Sequence, residues 1–368
     1  MPLAIHSYDE LASLEDGAEA LNLAWTQDER SLLTVDVHSV ISRALERERA
    51  DGLPHIGDYM VKDPYGEGKL GGAVADHFAV DRAAVSVTCG SGVGPLLHNL
   101  AVLAAGATVH FASDVYPDVP VWVERFGGRR TGLEGDDGSP EADRHLRAIE
   151  RGRPALVVLE RPALTPSLLS DQGELAVLCE AAAHYGALVV VDESNANYEP
   201  PDFSAVRLVP SVRNLIVVRG LSKAYGLGGL RLGFCVCHPD LAPVVRGVVP
   251  PLQASSLSLG LGREILRLGD IAGRLREGVA ESRDQVVGSL RRLGATGAAP
   301  ANGHLPYALV RDDPEGWFAR LRRRGVQGKV HPLWSTGEHA FGRLLRVSFP
   351  LDPERKERFR SLTRAPAP

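Results

Sequence analysis

A lysine and an arginine stand eight positions apart in one glycine-rich stretch, Arg-Gly-Leu-Ser-Lys-Ala-Tyr-Gly-Leu-Gly-Gly-Leu-Arg-Leu-Gly-Phe, at residues 219–234. The chain has five lysines, and Lys223 is the only one in a mostly apolar, glycine-rich setting. A partly desolvated lysine amine is a good nucleophile for forming a Schiff base with a carbonyl group. Lys223 is therefore the first candidate for covalent chemistry, with Arg231 as the second cation of the stretch.

Apolar runs on both sides of this stretch predict the strands that must position it. Residues 215–219 are mostly β-branched and residues 232–237 are mostly apolar, which is typical of buried strands. Lys223 then follows the end of a strand. Open α/β sheets bind their ligands at such strand ends, so the lysine is predicted to face a ligand site.

A second glycine-rich turn lies within residues 85–98, which predict a strand, a tight turn and a helix continuing through residue 105. Free N–H groups at the start of this helix, around Ser91 and Gly92, would favour a phosphate together with the helix dipole. The spacing Gly90-x-Gly92-x-Gly94 could equally belong to a dinucleotide-binding loop. However, the last glycine of that fingerprint is replaced by Pro95.

A carboxylate stands at the end of a third predicted strand. Residues 187–192 are apolar up to Asp192, as expected when helices cover both faces of a sheet. A carboxylate buried at a strand end needs a cationic partner, because an isolated buried charge is costly. Asp192 therefore predicts a positively charged group at the same edge of the sheet.

Residues 222–232, Ser-Lys-Ala-Tyr-Gly-Leu-Gly-Gly-Leu-Arg-Leu, resemble the cofactor-lysine segment of the class I and II aminotransferases, especially the histidinol-phosphate aminotransferase-like branch. These are fold type I enzymes of pyridoxal 5'-phosphate (PLP). The resemblance implies an aspartate-aminotransferase-like α/β fold, with a mainly parallel sheet, helices on both of its faces and a smaller α+β domain. It also implies an internal aldimine at Lys223, a partner for the protonated pyridine nitrogen at Asp192, and phosphate contacts at Gly90, Ser91, Gly92, Ser222 and Arg231.

The same resemblance assigns roles to three tyrosines. Tyr116 takes the place of the aromatic residue that stacks on the pyridine ring, with ordinary core packing as the alternative. Tyr59 and Tyr65 lie in the segment from which a tyrosine reaches the cofactor phosphate of the partner subunit in a homodimer. Spacing does not decide between them; we assign Tyr65 to the cofactor and Tyr59 to the substrate, with exposed loop tyrosines as the alternative.

Substrate contacts are also implied by the resemblance. Arg346, within Leu-Arg-Val-Ser, matches the arginine that grips the α-carboxylate of the amino acid. The alternative is a surface arginine on a strand. Asn22 is what remains of an asparagine-rich motif at the end of an N-terminal arm, and Trp25 stands nearby. For these two residues, substrate contact and arm packing are equally open.

The sequence departs from the family around the phenolic oxygen of the cofactor. The family has an asparagine donor there in the segment Asn-Pro-Asn-Asn-Pro-Thr-Gly, whereas residues 160–167 read Glu-Arg-Pro-Ala-Leu-Thr-Pro-Ser. Leu164 or Thr165 replaces the asparagine, depending on register. Asn195 replaces a tyrosine that normally contacts the same oxygen, and we expect it to donate a compensating hydrogen bond.

These departures keep two reaction types open for an enzyme that acts on an amino acid through an external aldimine. Transamination is the commonest chemistry of the branch. Elimination, replacement or cyclisation of the amino acid, as in lyase-type enzymes of specialised metabolism, is the alternative. A third hypothesis, a nucleotide-binding dehydrogenase or a non-catalytic module built on the Gly90 loop, gives no role to Lys223, Asp192 or Arg231.

Length and composition set the remaining expectations. The 368 residues accommodate a large PLP-binding domain at 54–250 and a small domain formed by 1–53, with the N-terminal arm, and 251–368. A net charge of -5 without a basic stripe argues against nucleic acid as a partner. No apolar run could span a bilayer and no signal-peptide pattern begins the chain, so we expect a cytoplasmic protein that binds no membrane. Cys235 and Cys237 alternate within a predicted strand, which favours buried thiols over a metal site.

Overall fold

The computed structural model of the protein describes residues 20–26, 29–133, 138–165, 167, 169, 171–333 and 342–364. Besides short 3-10 turns, its helices are α1 (Val37–Ala50), α2 (Pro54–Gly57), α3 (Glu67–Phe78), α4 (Val93–Ala101), α5 (Asp118–Arg125), α6 (Glu141–Gly152), α7 (Gln172–His184), α8 (Ala242–Val248), α9 (Ser256–Leu266), α10 (Gly273–Arg292), α11 (Pro314–Arg323) and α12 (Pro353–Arg364). Its strands are β1 (Leu21–Asn22), β2 (Ser86–Gly90), β3 (Thr108–Phe111), β4 (Arg129–Thr131), β5 (Leu156–Glu160), β6 (Leu188–Asp192), β7 (Leu215–Gly220), β8 (Gly233–Cys237), β9 (Ala299–Pro300), β10 (Tyr307–Val310), β11 (Val326–Gln327), β12 (Lys329–Leu333) and β13 (Gly342–Ser348).

A seven-stranded sheet with the order β2-β8-β7-β6-β5-β3-β4 forms the centre of the molecule. Strands β4, β3, β5, β6 and β7 run parallel, and β8 is antiparallel to both of its neighbours. Strand β2 therefore runs in the same direction as β7. The predicted mainly parallel sheet is confirmed, and all of its strands lie between residues 86 and 237.

Apolar side chains alternate between two cores, one on each face of this sheet. Along β6, Val189 and Val191 belong to one core and Val190 to the other. Helices α3 and α7 complete the first core, and helices α4, α5 and α8 complete the second. Each fully buried valine of this kind stabilises the fold by roughly 2 kcal/mol. The unbroken apolar run that predicted β6 thus reflects burial on both faces.

The carboxyl ends of β2, β3, β5, β6 and β7 meet at one edge of the sheet because these strands run in the same direction. Glu160 ends β5, Asp192 ends β6, and the loop with Lys223 follows β7. In the β5–β6 register, Glu160 and Asp192 are direct partners. The direction of the strands therefore brings the residues singled out in the sequence to a common edge.

A smaller antiparallel sheet has the order β12-β13-β10-β9 and packs against α10 and α11. The arm strand β1 pairs in parallel with β11, Leu21 lying opposite Val326. The short strands β4, β9, β11 and β12 and the short helix α2 were not predicted. Their sequences carry little periodicity, so only pairing with the rest of the chain defines them.

All four cysteines are free and buried, as expected for Cys235 and Cys237 within β8. Burial raises the pKa of each thiol above its ordinary value, so these side chains are apolar packing groups. Within the described ranges, each helix is too short or too polar to cross a lipid bilayer.

Candidate active site

A cavity of about 560 Å³ opens at the carboxyl edge of the large sheet. One wall comes from the ends of β3, β5, β6 and β7 and the loops that follow them. The other wall comes from the segment after β1 and from β10, β12 and β13. Segments from both ends of the chain are thereby brought to one site. Its lining residues include Trp25, Thr26, Glu29, Arg30, Asp114, Tyr116, Glu160, Leu164, Ser194, Asn195, Ser222, Lys223, Tyr307, Lys329, His331 and Arg346.

Lys223 lies in the loop between β7 and β8 and lines the cavity beside Ser222. Its carbonyl oxygen accepts a hydrogen bond from the N–H of Tyr225 at 2.7 Å. Ala224 between them has a left-handed φ of 61°. This tight turn holds the lysine at the cavity wall, where its positive charge acts on both Asp192 and Glu160.

Two carboxylates within reach of the charge of Lys223 end adjacent strands. Asp192 is only 2% exposed, and its Oδ1 accepts a hydrogen bond from the N–H of Ser194 at 2.8 Å. Burial and the neighbouring negative charge of Asp192 raise the pKa of Glu160 to about 7. Burial also raises the pKa of Asp192, while the charge of Lys223 acts in the opposite direction on both groups. The pair is therefore poised to hold a proton near neutral pH.

Asn195 joins this pair from the loop after β6. Its Nδ2 donates to Oε1 of Glu160 at 2.6 Å. Its Oδ1 is buried without a hydrogen-bond partner among the described residues. In the neighbouring segment Leu164 lines the cavity, whereas the hydroxyl of Thr165 donates to Oδ2 of Asp114 at 3.2 Å.

A group of donors lies at the start of α4. A Cβ at Gly233 would stand 2.6 Å from the carbonyl carbon of Gly92, so only glycine allows β8 to approach the helix this closely. Gly92 is the N-cap residue, with a φ of 113° and no side-chain cap. Nη2 of Arg231 donates to the carbonyl oxygen of Ser91 at 2.9 Å. Arg231 and the helix start, which follows Gly90 of β2, thus present N–H groups side by side.

Arg346 lines the opposite wall of the cavity. Its guanidinium carbon stands 4.5 Å from the centre of the Tyr307 ring, and its Nη2 donates to the carbonyl oxygen of Ala24 at 2.8 Å. Its Nε is buried and has no hydrogen-bond partner among the described residues. Trp25, next to the accepting carbonyl, lines the cavity as well. This arginine is thus held in place and still has a donor to offer to a ligand.

Tyr116 lines the cavity from the segment after β3. Its hydroxyl donates to Oδ2 of Asp118 at 3.0 Å, and its ring is 6.0 Å from that of Trp122. Tyr116 therefore packs against α5 and also lines the cavity. Its position is compatible both with stacking on the cofactor ring and with core packing.

Of the residues expected at the site, the described wall of the cavity does not include Asp192, Arg231 or residues 90–92. Asn22, Tyr59 and Tyr65 are also outside it and make other contacts in this subunit. Oδ1 of Asn22 accepts a hydrogen bond from the N–H of Ala24 at 3.0 Å, which stabilises the arm after β1. Tyr65 donates from its hydroxyl to the carbonyl oxygen of Arg246 at 3.4 Å. Tyr59 is 78% exposed on the surface. Contacts of the two tyrosines with a partner subunit stay predictions.

The family model for aminotransferase class I and II matches residues 59–351. The chain belongs to this family. The resemblance noted in the sequence, and with it PLP as the cofactor, is confirmed.

The chain is 26% identical to the histidinol-phosphate aminotransferase of Caldanaerobacter subterraneus subsp. tengcongensis. The 276 matched residues cover 74% of this chain and 75% of that protein. The chain is 31% identical over 229 residues to the aromatic amino acid aminotransferase of Mycolicibacterium smegmatis, over 61% of this chain and 62% of that protein. The chain thus spans less than two thirds of the second relative. Its fold is similar to that of the α-aminoadipate aminotransferase of Thermus thermophilus, with a TM-score of 0.73 at 20% identity, over 98% of this chain and 94% of that chain.

The site of this aminotransferase fits PLP. The uncapped start of α4, the Arg231 guanidinium and the Ser222 hydroxyl are donors of the kind that a phosphate accepts. Lys223 supplies the amine that an aldehyde requires, and the buried Asp192 carboxylate suits a protonated pyridine nitrogen. The unpartnered Oδ1 of Asn195 is a further polar atom that a ligand can satisfy.

Sequence reasoning missed several residues of this aminotransferase site. Glu160 carries the same signal as Asp192, a carboxylate at the end of an apolar run, and that argument could have found it. Lys329 and His331 lie on β12, a strand without a clear sequence pattern. The missed residues at the cavity wall include Thr26, Glu29, Arg30, Asp114, Glu160, Tyr307, Lys329 and His331.

Proposed function

We propose that this chain transfers the amino group of an amino acid in the cavity at the carboxyl edge of the large sheet, with Lys223 and Asp192 as its catalytic residues. The observation that carries the proposal is the placement of Lys223 at the cavity wall, where its charge acts on the buried carboxylate of Asp192 at the end of β6. PLP, when bound, supplies an electron sink for bond breaking at Cα.

The side chains of the cavity have separate roles in this proposal. Lys223 would hold the cofactor through its aldehyde, and its free amine would move the proton at Cα of the substrate. Asp192 would hold the protonated pyridine nitrogen by a hydrogen bond to its carboxylate. Tyr116, in the segment after β3, would pack against the cofactor ring. Arg346 binds the α-carboxylate with its fork of N–H groups, of which Nε is unused within the described part of the chain.

The charges of the cavity wall indicate a polar substrate. The wall carries the carboxylates of Glu29 and Asp114 and the cations Arg30 and Lys329, in addition to the residues assigned above. Such a mixed wall suits a zwitterionic amino acid whose side chain is also polar. We leave the side chain open between acidic and basic groups, because both charge types face the same space.

The assembly and compartment expected from the sequence belong to this proposal. Exposed apolar side chains occur together in the segment of α2, with Ile56 at 63% and Val61 at 73% exposure. A second copy of the chain would cover such a surface and bring Tyr59 or Tyr65 towards the partner's cofactor. We also retain the domain limits at residues 54 and 250 and a cytoplasmic location.

A single-turnover experiment tests the reaction type. The holoenzyme is mixed with excess amino acid in the absence of a keto acid, denatured, and its cofactor is quantified by mass spectrometry. We expect about one equivalent of pyridoxamine phosphate per subunit, because an amino-group transfer stops at this form without an acceptor.

The alternative of elimination, replacement or cyclisation is favoured by Leu164 at the cavity wall and by the pairing of Asn195 with Glu160. In that case the cofactor returns as PLP while the amino acid is consumed over many turnovers. That outcome would replace transamination by lyase-type chemistry and leave the assignment of Lys223 intact.

Exchanging each of the two arginines for leucine separates substrate binding from cofactor binding. Arg346→Leu is expected to weaken amino-acid binding about 10- to 100-fold, the loss of one charged hydrogen-bonding pair, and to leave PLP affinity within about twofold. Arg231→Leu is expected to weaken PLP binding and to leave the affinity for the amino acid nearly unchanged. Spectroscopic titrations with PLP and with the amino acid give both constants. Equal loss of PLP in the two variants would contradict the separate roles.

A further inference from the structure

Glu160 and Asn195 form a polar pair at the cavity wall, and the role of Glu160 in this pair has not been assigned. The contact between Nδ2 of Asn195 and Oε1 of Glu160 is short, at 2.6 Å. Both residues line the cavity, and Asn195 is only 5% exposed. Its Oδ1 is buried without a partner among the described residues. A buried polar atom without a partner is costly, so a ligand in the cavity is expected to satisfy it.

The identity of the atom that Asn195 offers to a ligand depends on Glu160. An ionised carboxylate can only accept, so it holds Nδ2 and leaves Oδ1, an acceptor, for the ligand. A protonated carboxyl group can donate its O–H to Oδ1. In that case a half-turn of the amide keeps the contact between the two residues and presents Nδ2, a donor, to the ligand.

We propose that Glu160 is a positioning residue whose proton reverses the Asn195 amide, so that Nδ2 donates to an anionic oxygen of the bound cofactor. The inference rests on the proposed binding of PLP in this cavity. It explains how the site can provide a donor although Leu164 or Thr165 replaces the asparagine of the family and Asn195 replaces its tyrosine. The role of Glu160 is carried out through Asn195, without a chemical step at Glu160 itself.

The charges around Glu160 support a proton at this position. Asp192 on β6 faces it with a negative charge, while Lys223 after β7 and Arg346 on β13 face it with positive charges. The effects of burial and of the Asp192 charge exceed those of the two cations, and they raise the pKa of Glu160 to about 7. The form that presents the donor is therefore present below this pKa and is lost as the pH rises through it.

The test measures the dissociation constant of PLP at about pH 6 and about pH 8 for the full-length protein and for Glu160→Gln. Glutamine offers an N–H to Oδ1 of Asn195 at every pH. At the lower pH we expect the dissociation constants of the two proteins for PLP to agree within about twofold. At the higher pH we expect the wild type to bind PLP about tenfold more weakly than Glu160→Gln. Comparison of the two proteins at each pH cancels the titration of the free cofactor.

A second variant separates positioning from a direct effect of the carboxylate charge. At about pH 6, Asn195→Ala is expected to bind PLP more weakly than the wild type does. Between about pH 6 and about pH 8, its affinity for PLP should not show the decline that distinguishes the wild type from Glu160→Gln. Asp114→Asn removes a different carboxylate of the same wall and should keep the wild-type pH profile.

Three outcomes would overturn the proposal. They are a Glu160→Gln variant with the wild-type pH profile, an Asn195→Ala variant that retains the decline, and an Asp114→Asn variant that abolishes it. If the wild type binds PLP with Lys223 but shows one of these outcomes, the positioning role alone fails. If it does not bind PLP at either pH, the proposed function fails together with this inference.

Discussion

Lys223→Ala is expected to lower the rate of amino-group transfer by about four orders of magnitude or more. The variant loses the nucleophile and the general base together, and general base catalysis alone contributes up to about 10⁴-fold. Lys329 cannot replace it without a large rearrangement, because it lies on β12 at the opposite wall of the cavity. The loss should appear in the rate constant for the chemical step, measured by stopped-flow absorbance.

Covalent labelling checks the same assignment without relying on activity. Borohydride treatment of the holoenzyme is expected to fix the cofactor to Lys223, which peptide mass spectrometry identifies. Lys329→Ala is the matched control, since it removes a second lysine of the cavity wall and should still be labelled. A label on Lys329, or full labelling of Lys223→Ala, would refute the assignment.

Glu193→Gln is expected to destabilise the fold by roughly 3–5 kcal/mol, the cost of leaving a buried ion pair without one partner. Glu193 is fully buried, and its two oxygens accept from Nη1 of Arg161 and from Nη1 of Arg219, each at 3.0 Å. Its carboxylate also accepts from the N–H of Ala205 at 2.7 Å. Arginine stays charged at neutral pH, so a glutamine would leave two buried cations facing a neutral amide.

Urea unfolding followed by circular dichroism measures this effect. Glu315→Gln serves as the control, because Glu315 pairs with Arg343 while both side chains are more than half exposed, at 57% and 58%. An exposed pair of this kind contributes no more than about 1 kcal/mol. If Glu193→Gln unfolds at the same urea concentration as the control, the buried pairs do not support the fold as argued.

The expected effect of Glu193 also reaches the site. Arg161 follows β5, Glu193 follows β6 and Arg219 belongs to β7, so the carboxylate connects three adjacent strands at their carboxyl ends. Asp192 is the residue immediately before Glu193. Weakening this connection should therefore lower PLP affinity as well as stability.

Local pattern was sufficient for the central strands of the large sheet and for Asp192 and Lys223 at its edge. Apolar runs predicted β6, β7 and β8 because strands covered on both faces carry no polar alternation. The direction of parallel strands then placed Asp192 and Lys223 at a common edge. These conclusions need only short segments of sequence and the general behaviour of α/β sheets, and the similarity of residues 222–232 to a known family narrowed the chemistry further.

Only the tertiary structure shows how the wall opposite the lysine is assembled. Trp25, Tyr307 and Arg346 come from distant parts of the chain, and they line one wall because β1 pairs with β11 and β10 with β13. The pairing of Glu160 with Asn195 depends likewise on the register of β5 and β6, since a shift of one residue would turn Glu160 to the other face. Register is set by packing between segments that are far apart in sequence, and no local pattern of residues encodes it.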